Sequence, residues 1–235
     1  MKNTVIKILR GVAIALLGLA VVMTLLGGIG TTCVAWNAEK YGPKYANFVP
    51  YKPVYQNLVY LSIAVAIVGG IVTYALLRRE KWAYAGALIT LVGCLGAAGI
   101  QMYYSSTLKQ VSFFRTPPTN MRLYIAALAL LLFLLLKLPG VWNYADFTRP
   151  WKGPGSWTTP TGLSMLVVGV ATLTTPIWAG SSHMLDGYNL VYVLDAPLLI
   201  GGWSMTLVGA GLLLAVGLRL SLRRTQADSL AVPTR

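Results

Sequence analysis

The residues best able to do chemistry gather in one short stretch, Ser181-Ser182-His183-Met184-Leu185-Asp186-Gly187-Tyr188-Asn189, which holds the single histidine of the chain. His183 and Asp186 stand three apart and Asp195 follows, so an imidazole could be brought beside one or two carboxylates. Such a grouping would suit general acid–base work or a divalent cation. Neither chemistry is fully equipped. A catalytic zinc centre needs three protein ligands, and no nucleophile or oxyanion arrangement accompanies the pair. A polar reverse turn, with Asp195 capping a helix that carries Pro197 in its first turn, explains the same residues. No metal site and no catalytic residue is therefore assigned. Cys33 and Cys94 fit neither a disulfide framework nor a metal-ligand spacing and are read as small buried thiols. Gly-rich phosphate loops and redox or zinc-protease motifs are missing from the sequence, and one histidine cannot ligate a haem twice, so no cofactor is expected.

A second set of candidates is aromatic. Of thirteen tyrosines, ten fall in the loops and helix ends of one membrane face. Trp36, Tyr41, Tyr45, Tyr51, Tyr55 and Tyr188 form its most concentrated part, and His183 and Asp186 share that face. Aromatic belts are normal at both membrane interfaces, but the excess of tyrosine is one-sided. The loop that carries Tyr41 to Tyr51 also holds Pro43, Pro50 and Pro53 and is too apolar for a free linker. It is expected to fold over the helix ends as an ordered cap. Tyrosine offers a large apolar face and a hydroxyl at small entropic cost, so the cap suits a ligand or partner surface.

The elements that must position these residues are long apolar runs. Of 235 residues, 56% are hydrophobic and 11% charged, against about 25% charged in a soluble domain. The net charge of +13 does not indicate nucleic acid, because the basic residues are scattered in short clusters between apolar runs, as anchors to lipid headgroups would be. The sequence predicts an all-α integral membrane protein, a polytopic bundle of about six transmembrane helices with short loops. The runs span about 12–35, 58–77, 82–104, 121–138, 161–179 and 197–218, each near the roughly 20 residues that cross a bilayer. The first exceeds the roughly 7–15 apolar residues of a signal sequence and is expected to stay as a spanning helix. Residues 1–220 form one transmembrane domain in this reading, and 221–235 a flexible tail.

Lys and Arg number thirteen on the side of both chain ends and six on the other, which predicts a cell-membrane protein with both termini cytoplasmic. Small residues at helical spacing are expected to bring helices two, three and six together: Ser62, Ala66, Gly70 and Thr73; Gly86, Thr90, Gly93 and Ala97; Gly202, Thr206 and Gly209. The leucine block from Leu130 to Leu136 is expected to face lipid. No acidic residue falls mid-helix, while Gln101 is placed in the outer turns of the third helix and Arg122 near an end of the fourth, where its stem can snorkel.

Packing stripes without buried charge point to a protein that acts by association. The expected role is an accessory, scaffold or assembly subunit of a larger membrane complex, docking through its tyrosine-rich outer face. Its expected partners are membrane lipids and other membrane subunits or a second copy, with no nucleic acid. The alternative is a transporter or channel for a small neutral or lipophilic solute, using the gap between helices two, three and six. A weaker alternative is an outer-leaflet enzyme using His183 and Asp186.

Overall fold

A bilayer interior offers the backbone no hydrogen-bond partner but itself, so long apolar runs become helices. The structure, a computed structural model, describes residues 2–116, 119–148, 158–180, 184–185 and 187–230. Helix α1 spans Lys2–Asn37 and leads through two 3-10 segments, Ala38–Tyr41 and Pro43–Tyr51, into α2, Lys52–Arg78. Then follow α3 (Ala83–Lys109), α4 (Thr119–Leu136) and the single turn α5 (Trp142–Ala145). The last third holds α6 (Thr158–Leu173), α7 (Thr175–Gly180), the two-residue strands β1 (Met184–Leu185) and β2 (Tyr188–Asn189), a 3-10 segment Leu190–Leu194, and α8, Asp195–Leu230. Among the described residues five helices are long and apolar enough to cross a membrane. The protein is an all-α, multi-pass membrane bundle.

The helix ends have local causes. Arg79 takes a left-handed φ of 69° and its N–H reaches the carbonyls of Ala75 and Leu76, which stops α2. Gln110 ends α3 in the same way, with φ 52° and bonds to Ser106 and Thr107. The fifth apolar run, expected as one helix over 161–179, is instead two pieces that break at Thr174. Pro176 has no N–H to give, and its ring would strike the carbonyl four residues back. α8 continues through 221 to Leu230, because that segment is rich in leucine, arginine, glutamine and alanine and meets no proline before Pro233.

Contacts between the helices fix their directions. α2 runs against α1, with Gly69 on Val21 and Gly28 on Ser62, and α3 runs against α2, with Gly86 on Val72 and Gly93 on Val65. α6 lies alongside α1, with Pro160 near Gly11 and Ser164 near Gly18, and α8 runs against α6. The N-terminal part of α1 and the C-terminal part of α8 therefore lie at one end of the bundle, and the 38–51 segment at the other, here called the capped end. Ile14, Leu17, Leu76, Leu91, Phe133 and Leu136 fill the core among α1 to α4. Phe133 and Leu136 turn inward, so the leucine block meets lipid only at positions such as Leu131, Leu134 and Leu135.

The small-residue stripes work otherwise than expected. Helix six, α8, packs on α6 and not on α2 and α3. Gly202 and Gly209 face Gly169 and Gly162 across an antiparallel seam, both pairs one heptad apart. A Cβ on Gly209 would sit 2.7 Å from the Gly162 carbonyl, and one on Gly169 would sit 2.7 Å from the Gly202 carbonyl. No side chain fits there, and the backbones touch as small residues permit. In α2 the packed glycine is Gly69. Gly70 is exposed with open space around it, because helical phase carries the inward stripe from Ser62 and Ala66 to Gly69, Val72 and Leu76.

The uncapped end is closed by an aromatic clasp. Arg10 donates to the carbonyls of Asp146 and Phe147 at 2.9 and 3.0 Å, with its guanidinium 5.1 Å from the Phe147 ring centre. Phe147 stacks on Phe133 at 5.3 Å, and the Tyr84 hydroxyl donates to the Phe133 carbonyl at 2.9 Å. The expected outcome of substitution follows the glycine phase. Gly69→Leu should lose about 1–3 kcal/mol by overpacking, whereas Gly70→Leu should stay within about 0.5 kcal/mol of the parent, as exposed changes do. Unfolding by denaturing detergent in mixed micelles measures both.

Candidate functional site

Beneath the cap lies a cavity of about 450 Å³ whose lining comes from α1, the cap, α2, α3, α4, α7, the 190–194 segment and α8. Its deepest polar group is Arg122. This side chain is only 2% exposed, so it does not snorkel as expected. Arg122 opens an inward stripe with Ala126, Ala129 and Phe133, all buried, and the helix turns its guanidinium into the bundle. Nη2 donates to the Gln101 side-chain oxygen at 2.6 Å and to the Ala97 carbonyl at 3.1 Å. Gln101 in turn donates to the Thr31 hydroxyl at 2.8 Å, and Thr31 donates to the Gly27 carbonyl at 2.6 Å. One relay thus joins α4, α3 and α1.

The relay leaves the arginine incompletely satisfied. A guanidinium carries five N–H donors, and those on Nε and Nη1 have no hydrogen-bond partner among the described residues. Among the described residues no carboxylate lines the cavity. Glu39, the nearest acid in sequence to the cap, is engaged by Lys52 at 3.1 Å. Lys109, at the C-terminal end of α3, also lines the cavity and holds its ammonium 5.8 and 5.9 Å from the Tyr45 and Phe48 ring centres. Gln101 lies eight residues before Lys109 in α3, so the guanidinium sits about 12 Å below that helix end. Two cations are stacked in depth, the deeper one buried where charge is costly.

Hydroxyls and rings make up the rest of the polar wall. Tyr55 is buried, with its hydroxyl 3.0 Å from Ser105, and Tyr41 and Tyr45 meet edge to face at 5.7 Å. Cys33 lines the cavity and is half-buried; Cys94 is buried, and both thiols are free. Below Arg122 the bundle is filled by Leu17, Val21, Leu91, Cys94 and Phe133, so the cavity is one-sided. The far wall is held by Asn189, whose side chain accepts from Val191 N–H at 3.0 Å and donates to the Pro176 carbonyl at 3.4 Å.

Of the residues singled out by sequence, Tyr41, Tyr45 and Tyr55 come together in this wall. Trp36 packs edge-on against Tyr60 at 6.0 Å and Tyr51 against Tyr104 at 5.7 Å, outside the cavity. Tyr188 is 77% exposed on β2. His183 and Asp186 lie outside the described residues. Among the described residues no group of three His, Cys, Asp or Glu could hold a metal ion. Sequence reasoning missed Arg122 and Gln101 as a pair. The available signal was phase, since Gln101 follows Thr90, Cys94 and Ala97 on the buried stripe of α3.

Comparison of the chain with protein-family models, with curated proteins and with solved structures returned no match. Fold and site therefore define the class by themselves: a multi-pass helical membrane protein with a one-sided cationic cavity under an aromatic cap.

The relay predicts an order of costs. Gln101→Leu removes the acceptor of a charged donor and should destabilise by about 1.5–3 kcal/mol, more than Ser105→Ala, which removes one neutral hydrogen bond worth about 1 kcal/mol. Equal losses in micelle unfolding would contradict the role given to Gln101.

Proposed function

We propose that this protein binds an anionic amphiphile, a molecule with one oxyanion group and an apolar portion, in the cavity under its cap. The observation that carries this reading is the buried Arg122, which among the described residues has N–H groups without partners and no carboxylate in its cavity. An oxyanion there would accept charge-assisted hydrogen bonds and supply the missing counter-charge. The mostly apolar wall would hold the remainder of the ligand, as is usual for small-molecule sites. The closed core beneath supports binding from one face over conduction through the bundle. Use of Tyr41, Tyr45 and Tyr55 in the cavity wall moves the reading away from subunit docking, which keeps only rings such as Tyr188 and Tyr192.

Dodecyl phosphate is a suitable probe. It should raise the thermal unfolding midpoint of the protein in neutral detergent, by mass action on the folded state, and should leave Arg122→Gln unmoved. Gln101→Glu places a carboxylate on the guanidinium, so that variant should be more stable than the parent without ligand and should lose the response to it. A parent midpoint indifferent to the anion would overturn the reading.

The excess of Lys and Arg at the end that holds both termini supports a cytoplasmic setting for that end, with the cavity towards the exterior of the cell membrane. In a Cys33→Ser background, Tyr188→Cys should then react with a membrane-impermeant maleimide on intact cells. Reaction only after lysis would invert the topology.

A further inference from the structure

We propose that the ligand is a membrane lipid with an oxyanion headgroup, a phosphate or a carboxylate, and that it enters sideways from the bilayer between α1 and the segment 190–198. This rests on the binding reading above and adds the route and the source. Three residues line the cavity and are also open to the outside of the bundle: Ile29 at 38%, Leu194 at 41% and Val193 at 79% exposure. A wall whose side chains face both ways is a gap. All three side chains are apolar, and Ile29 lies two residues beyond Gly27, whose Cα hydrogen faces Arg122 so closely that a Cβ would come within 2.5 Å of Nη1. The gap therefore opens about 3 Å along α1 from the guanidinium, within the apolar run of a spanning helix, where lipid and not water is the surroundings.

The packing explains why a gap exists there. α6 lies against α1 near Gly11 and Gly18, in its first half, then breaks at Thr174 and gives way to the short α7. The second half of α1 has lost that neighbour. Meanwhile the water-facing side is roofed: Phe48 is buried, Tyr45 packs on it at 5.4 Å, and Lys109 lies over both rings. A headgroup drawn through the gap would meet Arg122, and its chain would stay among Ile29, Val193 and Leu194 or in the surrounding lipid. The oxyanion then satisfies the donors that Gln101 and Ala97 leave.

The full chain reconstituted in phosphatidylcholine nanodiscs tests this, with Cys33 in the cavity wall as reporter of occupancy. Doping the bilayer with dioleoyl phosphatidic acid or with oleate should slow maleimide labelling of Cys33; whichever arm protects better names the oxyanion. Inorganic phosphate in the buffer should not protect. Ile29→Trp and Val193→Trp alter exposed positions and fill the gap, and should weaken protection about tenfold. Ile29→Ala, which cannot fail by crowding, should instead speed loss of protection when the lipid is diluted out. Undiminished protection in the tryptophan variants, or protection by inorganic phosphate equal to that by lipid, would overturn the lateral route. Failure of the binding reading has a different signature, in which Arg122→Gln and the parent behave alike toward every anion.

Discussion

A positive charge held in the interior of a membrane bundle sets the terms for everything around it. Arg122 needs acceptors at its own depth, and among the described residues it has two, the Ala97 carbonyl and the Gln101 amide, both on α3. Gln101 must present its oxygen to the arginine and its NH2 to Thr31, which fixes the rotation of α1 against α3. Gly27 must lack a side chain, since the guanidinium occupies the space. Three helices are thus locked in phase by one ion that a purely apolar bundle would not contain.

The two buried arginines are held in different ways. Arg10 has two backbone carbonyls at separate nitrogens and an aromatic face beneath it, all from the 142–148 segment, and so it ties a loop to a helix end. Arg122 has both of its acceptors on one nitrogen. The same residue type ties a loop to a helix end in one place and faces a cavity in the other. Replacing a buried ion by well-packed apolar residues is often neutral or stabilising, which makes the arginine at the cavity the more informative of the two. Close helix packing is achieved separately, by the Gly162, Gly169, Gly202 and Gly209 seam that holds α8 to α6. That seam draws on no residue of α2 or α3.

The helical class was legible because apolar length is the strongest signal a membrane sequence carries. The cap was legible in part: proline and tyrosine density foretold order over residues 43–51, where Phe48 is buried against Tyr55 of α2. Partner choice was not. Gly69-Gly70 offers two adjacent glycines 100° apart, and only the longer stripe through Ser62, Ala66 and Val72 selects the first. The stripe of α8 reads the same whether it meets α2 or α6, because small-residue spacing records that a neighbour comes close and not which neighbour. Arg122 was misjudged by distance to the helix end. Depth along α4 suggested snorkelling, whereas the azimuth shared with Ala126 and Ala129 points inward, and azimuth decides what a side chain touches.

Depth and azimuth together also explain why the cavity is where it is. An inward arginine cannot be packed around closely by apolar side chains without leaving its donors dry, so the polar relay spreads the helices at its level. The break at Thr174 then removes α6 from the wall on one side. Below that level Leu91, Cys94 and Phe133 close the core again. The cavity is therefore neither a packing defect scattered at random nor a pore. It is the volume left when a charge is turned inward beneath a ring-covered roof and one neighbouring helix stops short.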